Sequence, residues 1–460
     1  MRGFTLRAGG SFRLMAYEKN MTEGNELSHI IGFTLPLLMG NIFQQLYNIV
    51  DSVIVGRYLG YDALASVGAT GSVTFLFYTL CIGLSVGSGI LISQSFGANR
   101  EDDVKKFIVN SAYAALIFGL AVSVIAFSFS GPLLRLMKTP EDIFPAAHGY
   151  MQIACLGTVA VSLYNWINAV MRSLGDSRTP LIFLIIASVI NVLLDLLFVI
   201  VFKMGVNGAA LATVIAQAAS AAGCIVYAFV KVRFFRFSEG ELDLRKYYFS
   251  KCIKTGVPIA LQNSMISVSM IFLQSVANTF GSVVMAAYTA TMRVEQLIQQ
   301  PFSSLNAALS TFAGQNMGAG LVDRTVRGYR KAVMLMSCFA LFMLALFLIA
   351  SRYVIGIFVT EEAVIEIGAN ALKLSAFFYI PLGLIHTTRG LLNGAGDVTY
   401  AMINGFVEVI GRIGFALILL RIPTIGYWAV WGTTCLTWLL TAVMSVLRYR
   451  YGKWKTKVKI

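Results

Sequence analysis

The chain has 460 residues, of which 57% are hydrophobic and only 13% charged, with a mean hydropathy of +0.74 and a net charge of +14. A water-soluble domain could not hide that much apolar surface behind so few charges, so the composition excludes that class and describes a polytopic membrane protein. The basic balance does not mark a nucleic-acid binder, since no basic domain with aromatic platforms or a groove-reading helix accompanies it.

In chain order, the opening "MRGFTLRAGGSFRLMAYEKNMTEGN" has no apolar core before a small-residue cleavage site, so it reads as a tail over 1–27, with Met15 and Met21 as alternative starts, and not as a signal peptide. Twelve apolar segments follow, at 28–55, 62–95, 104–129, 145–173, 179–203, 206–234, 249–280, 284–316, 325–351, 363–392, 400–421 and 426–450. Most exceed the ~20 residues needed to cross a bilayer, which implies tilt or protrusion. Basic residues sort to one side. The 2–3 loop has Arg100, Lys105 and Lys106, the 4–5 loop Arg172 and Arg178, and the 6–7 connection seven cations from Lys231 to Lys254. The 8–9 loop adds Arg324, Arg327, Arg330 and Lys331, and the tail after Arg448 carries more. The other side has Arg57, Arg135, Lys138, Lys203, Arg352 and Arg421. The loop-charge rule then places both termini in the cytoplasm of a cell (inner or plasma) membrane protein. Cys81, Cys155, Cys224, Cys252, Cys338 and Cys435 lie far apart and read as small buried hydrophobes rather than metal or redox ligands.

The halves of the chain resemble one another at an offset near 221. "FTLPLLMGN" from Phe33 matches "TGVPIALQN" from Thr255, "SQSFGAN" matches "GQNMGAG", "RSLGDSRTP" matches "NGAGDVTYA", and "MGVNGAALAT" matches "IGYWAVWGTT". Six spans per half give a parallel repeat about an axis along the membrane normal, with a site expected between bundles. The expected domains are a cytoplasmic tail (1–27), an N-terminal six-helix lobe (28–235), a cytoplasmic linker (236–248), a C-terminal six-helix lobe (249–450) and a basic tail (451–460).

Polar residues interrupt these apolar segments in patterns. In segment 1, Asn41, Gln44, Asn48 and Asp51 follow spacings of 3, 4 and 3 and fall on one stripe of a helix. Such a stripe either lines an aqueous cavity or glues helices together, and an intramembrane acid favours the first. In segment 4, Asn165 and Asn168 share a face, joined by Tyr150 if the helix is unbroken. In segment 5, Asn191 and Asp195 are four apart and therefore neighbours on one face. Segment 8 carries Arg293 and Glu295, and segment 11 carries Glu408 and Arg412, whose spacing suits a neutralised structural pair. Desolvation disfavours a carboxylate and a second carboxyl beside it disfavours double ionisation, so such a pair can hold and release a proton. With Asn and Thr oxygens added it can also hold Na⁺, a hard ion that prefers oxygen.

"LPLLMGNIFQQLYNIVDSVIVGRYLG", "SQSFGAN", "GQNMGAG", "RSLGDSRTP" and "NVLLDLLF", in that order on a duplicated twelve-span chain, resemble the multidrug and toxic compound extrusion (MATE) family over about residues 25 to 450. The resemblance implies an all-α protein of twelve transmembrane helices in two pseudo-symmetric six-helix lobes forming a V. It implies export of amphipathic, often cationic drugs and toxic compounds, coupled to H⁺ or Na⁺ by alternating access. It also implies a cation or proton site of Asp51, Asn191, Asp195 and Thr213 with Tyr150 nearby, and a substrate cavity with Gln44, Tyr47, Asn48, Asn165 and Asn168. Glu295 and Arg293 are added to that cavity from family branches that use an acid in the C-terminal lobe, although on a different helix. The offset from Asp195 lands on Ala416, so ion chemistry is expected in the N-terminal lobe. No cofactor or nucleic-acid partner is expected, the lipid bilayer is the surrounding partner, and the protein is expected to be a monomer.

"SVGSGILISQSFGAN" lacks a GK[ST] ending and is not a P-loop, so the driver is expected to be an ion gradient. His29, His148 and His386 are scattered and no HExxH or GxSxG appears, which argues against an intramembrane enzyme. The remaining alternative is a lipid or lipid-linked saccharide flippase of the same superfamily.

Overall fold

The computed structural model describes residues 19–137 and 139–457, and these are all-helical, with no strand among them. The N-terminal lobe comprises α1 (Glu26–Leu59), α2 (Tyr61–Gly97), α3 (Glu101–Leu136), α4 (Phe144–Leu156), α5 (Thr158–Ser173), α6 (Arg178–Asp195) and α7 (Val206–Lys231). The C-terminal lobe comprises α8 (Lys246–Asn278), α9 (Ser282–Gly318), α10 (Val322–Gly356), α11 (Glu362–Ala376), α12 (Tyr379–Gly394), α13 (Val398–Leu419) and α14 (Ala429–Tyr451). Among the described residues, nine helices are long and apolar enough to cross a membrane, or eleven when the bent pairs α4–α5 and α11–α12 each count as one span. The 37-residue α9 is the twelfth long segment. Arg293, Glu295, Gln296, Gln299 and Gln300 lower its hydropathy.

Local chemistry sets the element boundaries. Asn25 caps α1, its Oδ1 accepting from the backbone N–H of Leu27 and Ser28. Gly60 ends α1 with φ +89°, a conformation that costs glycine little. Positive φ recurs with the repeat: Gly60 and Gly281, Asn99 and Gly320, Gly175 and Gly396, Gly205 and Gly426 are each 221 residues apart. The bends recur too. The α4–α5 pair turns by 44° at Gly157, and the α11–α12 pair by 52° at Phe377–Phe378. The duplication is therefore structural as well as textual.

Several sequence expectations change here. The α4–α5 segment is broken, so Tyr150 and Asn165 do not share the face of one continuous helix. α6 runs into a π-helical turn over Leu196–Val201 directly after Asp195, a form frequent at functional sites. The tail expected over 1–27 is fixed in place from Lys19 onward. Met21 is fully buried, and Arg324 donates to the carbonyls of Met21, Glu23 and Gly24. At the other end Trp454 is also fully buried, so the basic tail docks on the bundle. Arg2, Arg7, Arg13, Met15, Lys138 and Lys459 lie outside the described residues.

The outer surface is apolar, with Val124 and Ile125 of α3 and Phe342 and Ile349 of α10 exposed, as a lipid-facing surface requires. Between helices the seams use small residues, because lipid offers no hydrophobic drive and backbones must approach closely. α2 packs on α8 and α9, and α1 packs on α9. A Cβ on Gly83 would meet the backbone of Ala260, and one on Gly87 the backbone of Gly256. At the end bearing most loop cations the lobes are laced reciprocally. Gln94 Nε2 donates to the carbonyl of Gly394 in the other lobe (2.8 Å), and Gln315 Nε2 donates to the carbonyl of Ser173 (3.1 Å). Gly97 and Gly318 lie against the backbones of Gln315 and Gln94 in the same reciprocal way. The repeated motifs "SQSFGAN" and "GQNMGAG" are thus one clasp read from both lobes. α1 bridges the two bundles. Ile30 and Phe33 near its start belong to the C-terminal lobe's core, whereas Ile54 and Val55 pack against Val199, Val206 and Ala209 of the N-terminal lobe.

Candidate functional site: a polar cavity in the N-terminal lobe

The polar stripe of α1 exists for a reason visible in its surroundings. Asn41, Gln44, Gln45, Tyr47, Asn48 and Asp51 line a cavity of about 520 Å³ enclosed by α1, α2, α4, α5, α6 and α7. That volume suits a drug-sized molecule. α4 contributes Tyr150, α5 contributes Asn165, Asn168 and Arg172, and α7 contributes Thr213 and Gln217. Tyr150 therefore reaches the cavity in spite of the bend at Gly157. Asn41 serves both roles weighed for it, since it lines the cavity and its Nδ2 donates to Ser304 of α9 at 3.0 Å. Asn165 lines it as well, with its Nδ2 donating back to the carbonyl of Val161.

The predicted ion cluster assembles at the cavity's wall. Asn191 Nδ2 donates to Thr213 Oγ1 at 3.4 Å, and Thr213 Oγ1 donates to the carbonyl of Ala209. The carboxyl groups of Asp51 and Asp195 are close enough to interact with each other. Asp51 and Thr213 line the cavity, whereas Asn191 and Asp195 stand behind them. Asp195 is fully buried. Both of its carboxyl oxygens, with Asp51 Oδ1 and Asn191 Oδ1, lack a hydrogen-bond donor among the described residues. Buried polar atoms are rarely left so. Four oxygens crowded in one place suit a proton or a small hard cation. A void of about 20 Å³ adjoins Asn191, Thr213 and Tyr47, room for a single water molecule. No group of three or more His, Cys, Asp or Glu that could hold a metal ion occurs among the described residues.

The structure does not bring Glu295 and Arg293 to this cavity. Glu295 is buried within the C-terminal lobe near Arg412, and Arg293 is exposed. They sit on α9, whose inward face packs into that lobe's own core, away from the cavity that gathers the other expected substrate residues. Ala416 is fully buried, as its apolar type requires. The expected Glu408–Arg412 pair forms at 3.5 Å, but Arg389 of α12 also approaches Glu408, at 3.4 Å, and donates to Asn404 at 2.6 Å. Arg412 donates further to Ser269. The pair is therefore one carboxylate shared by two arginines.

Sequence reasoning missed Gln217, Tyr164, Tyr78 and Arg172 as cavity residues. Gln217 was within reach, being four residues past Thr213 and so on its face. Arg172 was counted with the 4–5 loop, yet it belongs to α5 and turns inward.

Comparison with known proteins matches the architecture. The family model described as MatE fits residues 36–197 and again 258–418, one match per lobe. A probable multidrug resistance protein of Bacillus subtilis, YpnP, is 32% identical over 452 residues, covering 96% of this chain and 98% of its own length. An FAD transporter of Shewanella oneidensis is 25% identical over 376 residues, covering 79% of this chain and 81% of its own. A crystal structure of MATE in the bent conformation superposes with a TM-score of 0.88 at 24% identity, covering 95% of this chain and 98% of that one.

Proposed function

Since the chain belongs to the MatE family, whose members are multidrug efflux transporters and not enzymes, we propose that it is a secondary antiporter that exchanges amphipathic, often cationic compounds for H⁺ or Na⁺. The observation that carries this reading is the set of buried, unpartnered oxygens of Asp51, Asn191 and Asp195 at the wall of a drug-sized cavity. Two ionised carboxylates in contact repel, so the pair is occupied by a proton or a bridging cation, or else it separates. Asn191 and Thr213 supply the remaining oxygens, and Tyr150 and Tyr47 shape the cavity beside them. Occupation favours one position of α1 against the N-terminal lobe, and loss of the ion favours another. Coupling then requires only that ion and cargo prefer different states. The lobes alternate in access about their common seam, and Gln44, Asn48, Asn165 and Asn168 hold cargo through polar contacts. The side rich in Lys and Arg is assigned to the cytoplasm of the cell membrane, which places both termini there.

The test is efflux of a fluorescent cation from vesicles holding the purified protein, with pH and Na⁺ gradients imposed separately. One of the two gradients is expected to drive export. Asp51→Asn and Asp195→Asn are each expected to lower it at least about a hundredfold, on the scale of losing a group that acts only when charged, while leaving protein yield unchanged. Undiminished export in both variants would end the proposal.

A further inference from the structure

Among the residues lining the N-terminal cavity only two carry charge, Asp51 and Arg172. They stand at opposite ends. Asp51 is in the second half of α1, beside Tyr150. Arg172 is one residue before Ser173, whose carbonyl belongs to the clasp between the lobes. From Leu37 to Asp51, α1 advances ~20 Å along the cavity, so one molecule of moderate length can span it. Helical side chains lean toward the N-terminus of their helix, which directs the Arg172 guanidinium from the closed end up into the cavity. No carboxylate pairs with it among the described residues. The nearest acid in sequence, Asp176, uses both oxygens at the start of α6, accepting from the N–H of Arg178 and Thr179 and from Thr179 Oγ1. A partly buried guanidinium that faces a cavity inside a membrane protein without an anion partner marks a binding site. Two further donors share its face of α5 at one and two turns' distance. They are Asn168, which is buried, and Tyr164, whose side chain lines the same cavity.

We propose that Arg172, with Asn168 and Tyr164, forms an anion subsite, so that the preferred cargo is zwitterionic or carries a carboxylate or phosphate beside its cationic or aromatic part. This deepens the antiporter reading and rests on it, because it takes the cavity to be the cargo site. A planar guanidinium meets either anion through two parallel hydrogen bonds, which a lysine does not reproduce.

The test uses two dyes with the same cationic xanthylium ring: rhodamine 6G, an ethyl ester, and rhodamine 19, its free carboxylic acid. Equilibrium binding to the purified full-length protein is read by fluorescence anisotropy. Wild type is expected to bind both. Arg172→Gln is expected to weaken rhodamine 19 about tenfold or more, as loss of a charge-assisted hydrogen bond predicts, while rhodamine 6G changes less than about threefold. Arg172→Lys is expected to fall between. Retained rhodamine 6G binding shows that the variant is folded. Equal loss of both dyes, unchanged binding of rhodamine 19, or failure of wild type to bind rhodamine 19 while binding rhodamine 6G overturns the subsite. If wild type binds neither dye, the cargo assignment of the cavity falls and the subsite with it. The coupling role of Asp51 and Asp195 is judged separately by vesicle efflux.

Discussion

Asp195 and Asp397 are both fully buried carboxylates, yet their surroundings oppose each other. Asp195 has no donor on either oxygen among the described residues. Asp397, just before α13, accepts from Arg448 at 2.8 and 2.9 Å and from Lys457 at 2.8 Å. Burial alone would raise the Asp397 carboxyl, but hydrogen bonds and charge from Arg448 and Lys457 outweigh it and hold the group below the usual carboxylate range. A lowered folded value means that this contact stabilises the fold above the ordinary carboxylate value of about 4, and that the stabilisation is lost as pH falls through the lowered one. Because Lys457 lies beyond the buried Trp454, the contact fastens the C-terminal tail. In a variant keeping Trp454 as its only tryptophan, Asp397→Asn is expected to shift emission to the red at pH 7. The parent should do so only in acid, below about pH 4. Matching emission at every pH would show that the tail docks without this pair. The sequence makes Asp397 legible as the repeat partner of Asp176, but not its role. The two share a position and differ in partners: Asp176 accepts from the backbone and hydroxyl at the start of α6, whereas Asp397 accepts from the cations of α14 and the tail after it.

At the scale of elements, the twelve segments and nearly all their limits follow from hydropathy, because each span must satisfy its own backbone in lipid. The bends do not follow. Gly157 carries no proline to announce a break, and Phe377–Phe378 is marked only by Pro381 four residues later. Packing explains the glycine at the first bend. A Cβ on Gly157 would run into the γ-methyl groups of Val214, the residue after Thr213 on α7. Gly157→Ala is therefore expected to push α7 away from the α4–α5 joint, cost about 1–3 kcal/mol as overpacking does, and displace Thr213 from Asn191. The check is the melting temperature in detergent, which should fall, together with efflux, which should fall with it. Val214→Ala in the same chain should restore most of both. An unchanged melting temperature in the single variant would mean that the joint has slack. Arg172 escapes a reading by elements for a related reason. Its place near a helix end resembles a loop charge, and only the packing of α5 against α2, α3 and α7 decides that its side chain turns inward.

At the scale of the whole molecule, the duplication is the most legible feature, because an offset of 221 recurs in motifs, positive φ angles and bends alike. Its consequence is mechanical. The motif glutamines hold the lobes together by reciprocal bonds at the basic end, so alternation of access by separating the lobes must break both together. Two hydrogen bonds at ~1 kcal/mol each amount to a shift of roughly thirtyfold in the ratio of open to closed states. A natural reporter sits on the same seam. Cys252 of α8 is fully buried, adjoins Ser88 of α2 and lies one turn before Gly256. In a chain keeping Cys252 as its only cysteine, a maleimide should label it slowly while the seam is closed. Gln94→Ala with Gln315→Ala should raise the labelling rate about ten- to thirtyfold, in proportion to the open population. Adding cargo and a driving gradient to the unsubstituted seam should raise it as well, since turnover visits the open state. If efflux proceeds while Cys252 stays as unreactive as at rest, the lobes do not part at this seam during transport. The cavity would then exchange access through movement of α1 alone.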